Sequence, residues 1–400
     1  METDRELFAM INFQKLQNNK ITNFNMKLAF FTDTYFPQVN GVTYTIDLWK
    51  NELAKIYGRE NIFVFYPKSE YKGSSNEISL PSIKFPLYEG YKISLPSAKL
   101  LNLNLDIVHI HGLYSSAVFG ISAAKQLKIP CIITYHTPTH LYTHYATNLI
   151  SRYFSKSSTK KISGILQKSL MKWEKFVLKS CDLITVPSNV IAEYLKEQGI
   201  ENVKVISNGI DINLFKENVE RRNFQKNKNE RCIGYCGRIG LEKHLEDLIY
   251  LAKNFDGEIL IAGEGPAKKY YEKLANKTSN NIKFLGKIPH EELPKFYSEL
   301  DFLIFPSVVE TQGLVALESM ACGTPVIGAD ALALKETIID GKTGYLYKPG
   351  DIDELKIKLE IAYKNREILA GNCVEGAKKH SVENTVKELR KIYEETKTGK

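Results

Sequence analysis

Nowhere in the 400 residues does an apolar run reach the roughly 18 residues that a membrane span requires. A secretory leader pattern is missing as well, which sets a cytoplasmic location as the expectation. The first strand-like segment is not followed by Gly-x-Gly-x-x-Gly, and no Walker-type Gly-Lys-Ser/Thr loop occurs. Nicotinamide and ATP chemistry therefore lose their usual phosphate cradles. The six cysteines, at 131, 181, 232, 236, 322 and 373, are scattered over apolar segments. Cys232 and Cys236 have the look of a metal pair, but RCIGYCG reads as a strand with both thiols on one face. Buried, reduced thiols are the expectation. The single Asp-x-Asp, Asp351-Ile352-Asp353, follows Pro349-Gly350 at a helix start, where Asp351 reads as an N-cap rather than a metal ligand.

What is present is an ordinary globular composition, 43% hydrophobic and 25% charged, in a chain too long for one core. The net charge of +8 is concentrated. Between residues 151 and 180, Arg152, Lys156, Lys160, Lys161, Lys168, Lys172, Lys175 and Lys179 face one acid, Glu174. Such a segment points to an anionic surface, membrane or nucleic acid, and no nucleic-acid recognition motif accompanies it. The same stretch carries an apolar stripe, Ile162, Ile165, Leu166, Leu170, Trp173, Phe176 and Val177. Most of that stripe reads as the core-facing side of a helix whose basic face can rest on anionic lipid.

Residues 1–25 end in a polar tract, NNKITNFN, and read as a flexible extension or the product of an upstream start codon. From Met26 the chain alternates strands and helices. Strands are predicted at 62–66, 107–110, 131–135, 182–187 and 203–206, with helices at 42–56, 115–127 and 188–198. A polar linker, 216–231, precedes a second series: strands 232–236, 258–262, 282–285, 302–305 and 324–328, then a helix over 351–364. The alternation predicts α/β domains with parallel sheets covered on both faces. A final amphipathic helix is predicted at about 381–396.

The chemistry is densest around residues 302–318. Phe302–Phe305 reads as a buried strand stopped by Pro306-Ser307. Helical spacing of Leu314, Leu317 and Met320 then starts a helix just after Gln312. Its free N–H groups make a ready anion site. Glu310 stands on the loop before that end, and Glu318 follows more than a turn later, where a carboxylate can accept from two vicinal hydroxyls. A helix end between two acids suits a sugar nucleotide. Arg238 and Lys243, beside a glycine turn after strand 232–236, supply the cations that a diphosphate leaving group needs.

Glu310-x7-Glu318 within ETQGLVALESMACGTPVI resembles the signature of the retaining nucleotide-sugar glycosyltransferases of family 4. The resemblance covers residue 26 to about residue 395. It implies the GT-B fold, two Rossmann-like α/β domains facing each other across a cleft. The acceptor domain would span 26–208 and the donor domain 209–380, with segment 381–400 returning to the first. It places Arg238 and Lys243 on the diphosphate, and Gly41, Glu310, Gln312, Gly313, Leu314 and Glu318 around the donor. The Gly263-Glu264-Gly265-Pro266 turn resembles the family's loop beside the nucleotide. His136 resembles the histidine that contacts the transferred sugar, which makes it catalytic with Glu310, Arg238 and Lys243. His140, Tyr142, His144 and Tyr145 resemble a segment of diacylglycerol glucosyltransferases, although that subgroup usually has an acid in place of His140. Asp33 and Tyr35 are candidates for the acceptor side with His140 and Tyr145.

The implied activity is transfer of a hexose, glucose from UDP-glucose first, to a diacylglycerol-type lipid. No cofactor or metal is implied, and the enzyme would lie on the inner face of the cell membrane. Phosphatidylinositol, a lipid-linked saccharide or a soluble sugar remain as acceptors. A nucleotide-sugar epimerase on the same fold would need an acid/base pair at the sugar carbon, which the sequence does not offer. A silent binding subunit is disfavoured by intact Glu310, Glu318, Arg238 and Lys243.

Overall fold

A computed structural model describes residues 26–84, 92–95, 103–142, 156–217 and 231–399; the extension 1–25 lies outside them. Its strands are β1 (Leu28–Phe31), β2 (Ile62–Pro67), β3 (Glu77–Leu80), β4 (Ser82–Lys84), β5 (Lys92–Ser94), β6 (Ile107–Ile110), β7 (Cys131–Thr134), β8 (Leu183–Val186) and β9 (Val203–Val205), followed by β10 (Cys232–Cys236), β11 (Glu258–Ala262), β12 (Ile282–Gly286), β13 (Phe302–Phe305), β14 (Val326–Ala329) and β15 (Gly344–Tyr347). They form a seven-stranded sheet, β3-β2-β1-β6-β7-β8-β9, and a six-stranded sheet, β12-β11-β10-β13-β14-β15. All pairings in both sheets are parallel. Every residue of β1, β2, β6, β7 and β8 is buried, as expected of short apolar runs covered on both faces.

The strand order decides where a ligand can bind. In the first sheet the order reverses between β1 and β6, in the second between β10 and β13. Beyond the carboxyl ends of strands at such a reversal, the connections run in opposite directions and leave a crevice. Asp33 and Gly41 follow β1, His111 follows β6, and His136 follows β7. Arg238 and Lys243 follow β10, while Ser307 and Glu310 follow β13. Asp33, Gly41 and His111 thus stand at the first crevice, with His136 one strand further along, and Arg238, Lys243, Ser307 and Glu310 at the second.

The chain passes between the sheets at residues 207–210 and again at 380–382, where Ile210 pairs with Ser381. The last helix, Val382–Thr398, then packs Val382, Val386, Leu389, Ile392 and Tyr393 into one cluster with Leu28, Phe30, Trp49 and Leu53. Several elements go beyond the sequence expectation. β4 and β5 make a short antiparallel ribbon with Ile83 exposed. Helix Arg366–Lys378 buries only Leu369, Cys373 and Ala377, two of them small, so its apolar period is faint. On helix Lys156–Lys179, two residues of the apolar stripe turn to solvent: Ile165 is 67% exposed and Phe176 62%.

Candidate functional site

The loops after β10 and β13 face each other. Lys243, at the end of the 3-10 turn Leu241–Lys243, forms an ion pair with Glu310 and lies 3.3 Å from Ser307 Oγ. Arg238 pairs with Glu242, whose side chain is 3% exposed, so its guanidinium is braced from behind. A diphosphate placed here would compete with Glu310 for the Lys243 ammonium, and Arg238 would meet it already oriented. Gly263 and Gly265 have a bracing role as well. A Cβ on them would stand 1.9 Å from Gly237 O and 2.3 Å from Ile239 O, so this turn exists to let two backbones touch.

Helix Leu314–Ala321 starts at Gly313, whose φ of 83° is left-handed. A Cβ there would meet Leu334 Cδ2 at 2.8 Å. Glu318 Oε2 accepts from the buried Tyr297 hydroxyl at 2.9 Å, and Oε1 lies 3.7 Å from His290 Nε2. One hydroxyl and one imidazole therefore aim the carboxylate. Leu314 faces Gly41 of the other sheet's domain, with Cδ1 3.4 Å from where a Gly41 Cβ would stand.

Gln312 is placed differently from its expected donor contact. It is 3% exposed, its Oε1 accepts from Asn208 N at 2.9 Å, and its Nε2 donates to Ser207 Oγ at 2.6 Å. Its neighbour Thr311 donates through Oγ1 to His136 O at 2.8 Å, joining the donor loop to the histidine of the first domain.

His136 is the end of a buried imidazole group. Its Nε2 lies 3.0 Å from His111 Nδ1, and the His109 and His111 ring centroids are 4.4 Å apart. His109 is held by the Tyr393 hydroxyl and Thr134 Oγ1, each at 2.7 Å. Burial pushes His136 down to about 4, against the opposing pull of the Asn208 amide, and His109 to about 3. Burial, with His109 and His136 alongside, holds His111 well below the usual imidazole range. All three are therefore held neutral at physiological pH, and His136 offers a hydrogen-bonding ring rather than a charge.

The acceptor-side candidates are engaged in holding the fold. Asp33 accepts from Tyr114 N (3.0 Å), Ser115 Oγ (3.0 Å) and Ser116 N (2.9 Å), capping helix Ser115–Leu127. The Tyr35 hydroxyl donates to Glu77 at 2.7 Å, beside Lys50 at 2.9 Å. Burial would raise Glu77, but the Lys50 and Tyr35 bonds win and hold it at about 2. The sequence reading finds no carboxylate near the histidine run, whereas the fold brings Glu174 to it. His140 Nδ1 lies 2.8 Å from Glu174 Oε2 and its Nε2 lies 2.9 Å from the Tyr194 hydroxyl. His144 and Tyr145 lie outside the described residues. Among the described residues, no group of three or more His, Cys, Asp or Glu is arranged to hold a metal ion.

His290, Tyr297, Glu242 and Asn208, which contact Glu318, Arg238 and Gln312, are candidates that the sequence reading does not single out. Each acts on a partner far away in the chain or sits one turn from a motif, so no local pattern marks it.

Comparison with known proteins bears on the family and the fold. Residues 39–214 match the family described as Glycosyltransferase Family 4 and residues 216–380 that described as Glycosyl transferases group 1. The chain is 29% identical over 396 residues to an alpha-monoglucosyldiacylglycerol synthase of Streptococcus pneumoniae, covering 92% of this chain and 85% of that protein. It is 28% identical over 371 residues to the protein of the same description from Acholeplasma laidlawii, covering 86% and 90%. Among solved structures, the Anabaena protein HepE in complex with UDP and glucose superposes with a TM-score of 0.67 at 19% identity, covering 92% of this chain and 99% of that one.

Proposed function

Because the chain belongs to the GT-B glycosyltransferases that join a family 4 domain to a group 1 domain, we propose that it moves glucose from UDP-glucose to the free hydroxyl of a diacylglycerol-type lipid, with retention at the anomeric carbon. The observation that carries this is the crossing of the cleft by one loop. Glu310 pairs with Lys243 on the donor side, and the adjacent Thr311 is bonded to the His136 carbonyl on the other. The lipid acceptor is supported by the two diacylglycerol-glucosylating relatives, and the UDP donor by the UDP-bound structural neighbour.

In this reading Glu318 accepts from the two ribose hydroxyls, its carboxylate already aimed by Tyr297 and His290. Arg238 and Lys243 neutralise the charge that grows on the diphosphate as the glycosidic bond lengthens, the work that a divalent ion performs elsewhere. Glu310, relieved of Lys243 by the incoming phosphate, faces the sugar with neutral His136. The acceptor hydroxyl attacks on the face from which the diphosphate departs and gives its proton to a departing phosphate oxygen.

Among the described residues, no helix is long and apolar enough to cross a membrane. A lipid acceptor then requires a surface contact. Helix Lys156–Lys179 offers it: Lys161, Ile165, Lys168, Lys172, Phe176 and Lys179 are all exposed on one side, bases interleaved with large apolar residues.

The direct test supplies UDP- and GDP-sugars one at a time, with diacylglycerol in vesicles containing phosphatidylglycerol, and reads products by mass spectrometry and NMR. An α-linked monohexosyl diacylglycerol from UDP-glucose is expected. Transfer only to a soluble sugar phosphate, or only from a GDP-sugar, would sink the proposal.

A further inference from the structure

Three segments of the chain meet at Ser207. Its Oγ lies 2.6 Å from Gln312 Nε2, 3.3 Å from His380 Nδ1 and 3.1 Å from Gly209 N. Residues 207–210 carry the chain from the first sheet to the second, and residues 380–382 carry it back. The two crossings are zipped together, with Ile210 N bonded to His380 O and Val382 N to Ile210 O, both at 2.9 Å. Gly209, at a φ of 77°, is glycine because a Cβ would stand 2.9 Å from Val382 Cα. Any rotation of one sheet against the other must turn here, since these are the chain's crossings between them. Asn208 is tied to the first domain by its carbonyl, which accepts from Trp49 Nε1 at 2.7 Å.

Gln312 enters this hinge from the donor loop and spends both ends of its amide on it. Within its own domain, the loop is anchored by Ala333 N bonded to Glu310 O at 3.2 Å and by Thr337 Oγ1 on Gln312 O. The position of Glu310, two residues upstream, is therefore set partly by the hinge. We infer that Gln312 is a positioning residue: it registers Glu310 to the domain hinge through Ser207 and Asn208, and it does not bind the donor through its side chain. Donor acid and sugar-facing His136 are brought to their working separation by the same joint that sets the angle between domains.

The inference rests on the glycosyltransferase reading of the same cleft, and its test separates the two. Wild type, Gln312→Leu, Ser207→Ala and the double variant are compared for UDP affinity by calorimetry and for kcat of transfer. Leu fills the volume of Gln312 without its amide, and Ser207→Ala removes a single hydroxyl, with its contacts to Gln312, His380 and Gly209, and no further packing volume, so at least the second variant is expected to fold. Gln312→Leu should lower kcat ten- to a hundredfold while the Kd for UDP moves less than threefold. Ser207→Ala should act in the same direction more weakly, and the double variant should be no worse than Gln312→Leu alone. A Kd that rises in step with the loss of kcat would show a direct donor contact and overturn the inference. So would an unchanged kcat in both single variants, or losses that multiply in the double variant. Wild type that transfers from no sugar nucleotide would sink the donor reading and this inference with it.

Discussion

Tyr44 of the first domain stacks on His290 of the second, ring centroids 3.8 Å apart and planes inclined by 20°. His290 in turn faces the Glu318 carboxylate, so an aromatic pair across the cleft touches the proposed ribose site. Burial, with Glu291 and Glu318 nearby, pushes the Tyr44 hydroxyl up to about 12, so the ring stays neutral across the working pH range. An aromatic pair contributes about 0.5–1.5 kcal/mol beyond its area. Tyr44→Ala should therefore raise the KM for the donor by up to about tenfold, whereas Tyr44→Phe, which keeps the stack, should stay within about twofold. Equal losses for Ala and Phe in steady-state kinetics would instead assign the work to the hydroxyl.

The cations make a sharper prediction. Lys243 and Arg238 each have a carboxylate partner, Glu310 and Glu242, and both stand at the β10–β13 crevice. Removing one charge aimed at a developing anion costs about a hundred- to a thousandfold in turnover. Lys243→Ala and Arg238→Ala should each fall by about that factor, with the wild-type enzyme insensitive to EDTA. Loss of activity on chelation, restored by Mn²⁺ or Mg²⁺, would overturn the assignment of this work to the two side chains.

How much of this is legible in the sequence follows from how far each signal reaches. Strong local periods expose the strands Cys232–Cys236 and Phe302–Phe305 and the helix Gly41–Tyr57. Arg238, Lys243, Glu310 and Glu318 stand out because each sits in a strand–loop–helix unit with its own glycine. What escapes is whatever depends on two distant segments. Gln312 lies inside a donor motif, yet only the fold brings Ser207 to its amide. Asp33 follows the first strand, where a ligand-contacting acid is plausible, and nothing local shows that helix Ser115–Leu127 needs it as a cap. His140 has no acid within its own loop, and Glu174 reaches it from helix Lys156–Lys179.

The buried imidazoles predict an acid-labile fold. His136 and His109 titrate near 4 and 3 in the folded chain, and His111 well below its ordinary 6.5. In the unfolded chain all three titrate near about 6.5. Below that value the unfolded state takes up protons that the folded state refuses, so stability is fully present above about pH 6.5 and is lost as pH falls toward 4. Each group contributes a slope of at most about 1.4 kcal/mol per pH unit, and the three together about 4. Urea unfolding between pH 7.5 and 5 should show the midpoint falling steeply, with the slope reduced in His111→Gln. A midpoint independent of pH over that interval would mean that the three rings are not held neutral.

The last prediction separates a lipid-facing enzyme from one that acts on a soluble acceptor. Helix Lys156–Lys179 turns Leu166, Leu170, Trp173 and Val177 toward the protein and leaves Lys161, Ile165, Lys168, Lys172, Phe176 and Lys179 outside. The Trp173 indole donates to Leu113 O at 2.7 Å, which fixes how the helix is rolled and which residues face outward. Bases near an anionic bilayer contribute about 1 kcal/mol each, screened over about 8–10 Å at physiological salt. Burying an apolar side chain such as Phe176 contributes about 1.5–3 kcal/mol and is indifferent to screening. The two contributions can be separated by changing Lys161, Lys168, Lys172 and Lys179 to Gln in one variant, and Ile165 and Phe176 to Ser in another. Co-sedimentation with vesicles of rising phosphatidylglycerol content should weaken for both. The lysine variant should lose most of its salt dependence, and the apolar variant should keep it. UDP affinity should be unchanged in each, since none of the six reaches the donor loops. Wild type that ignores anionic vesicles at low salt would remove the surface contact on which transfer to a membrane lipid depends, and a soluble acceptor would take its place.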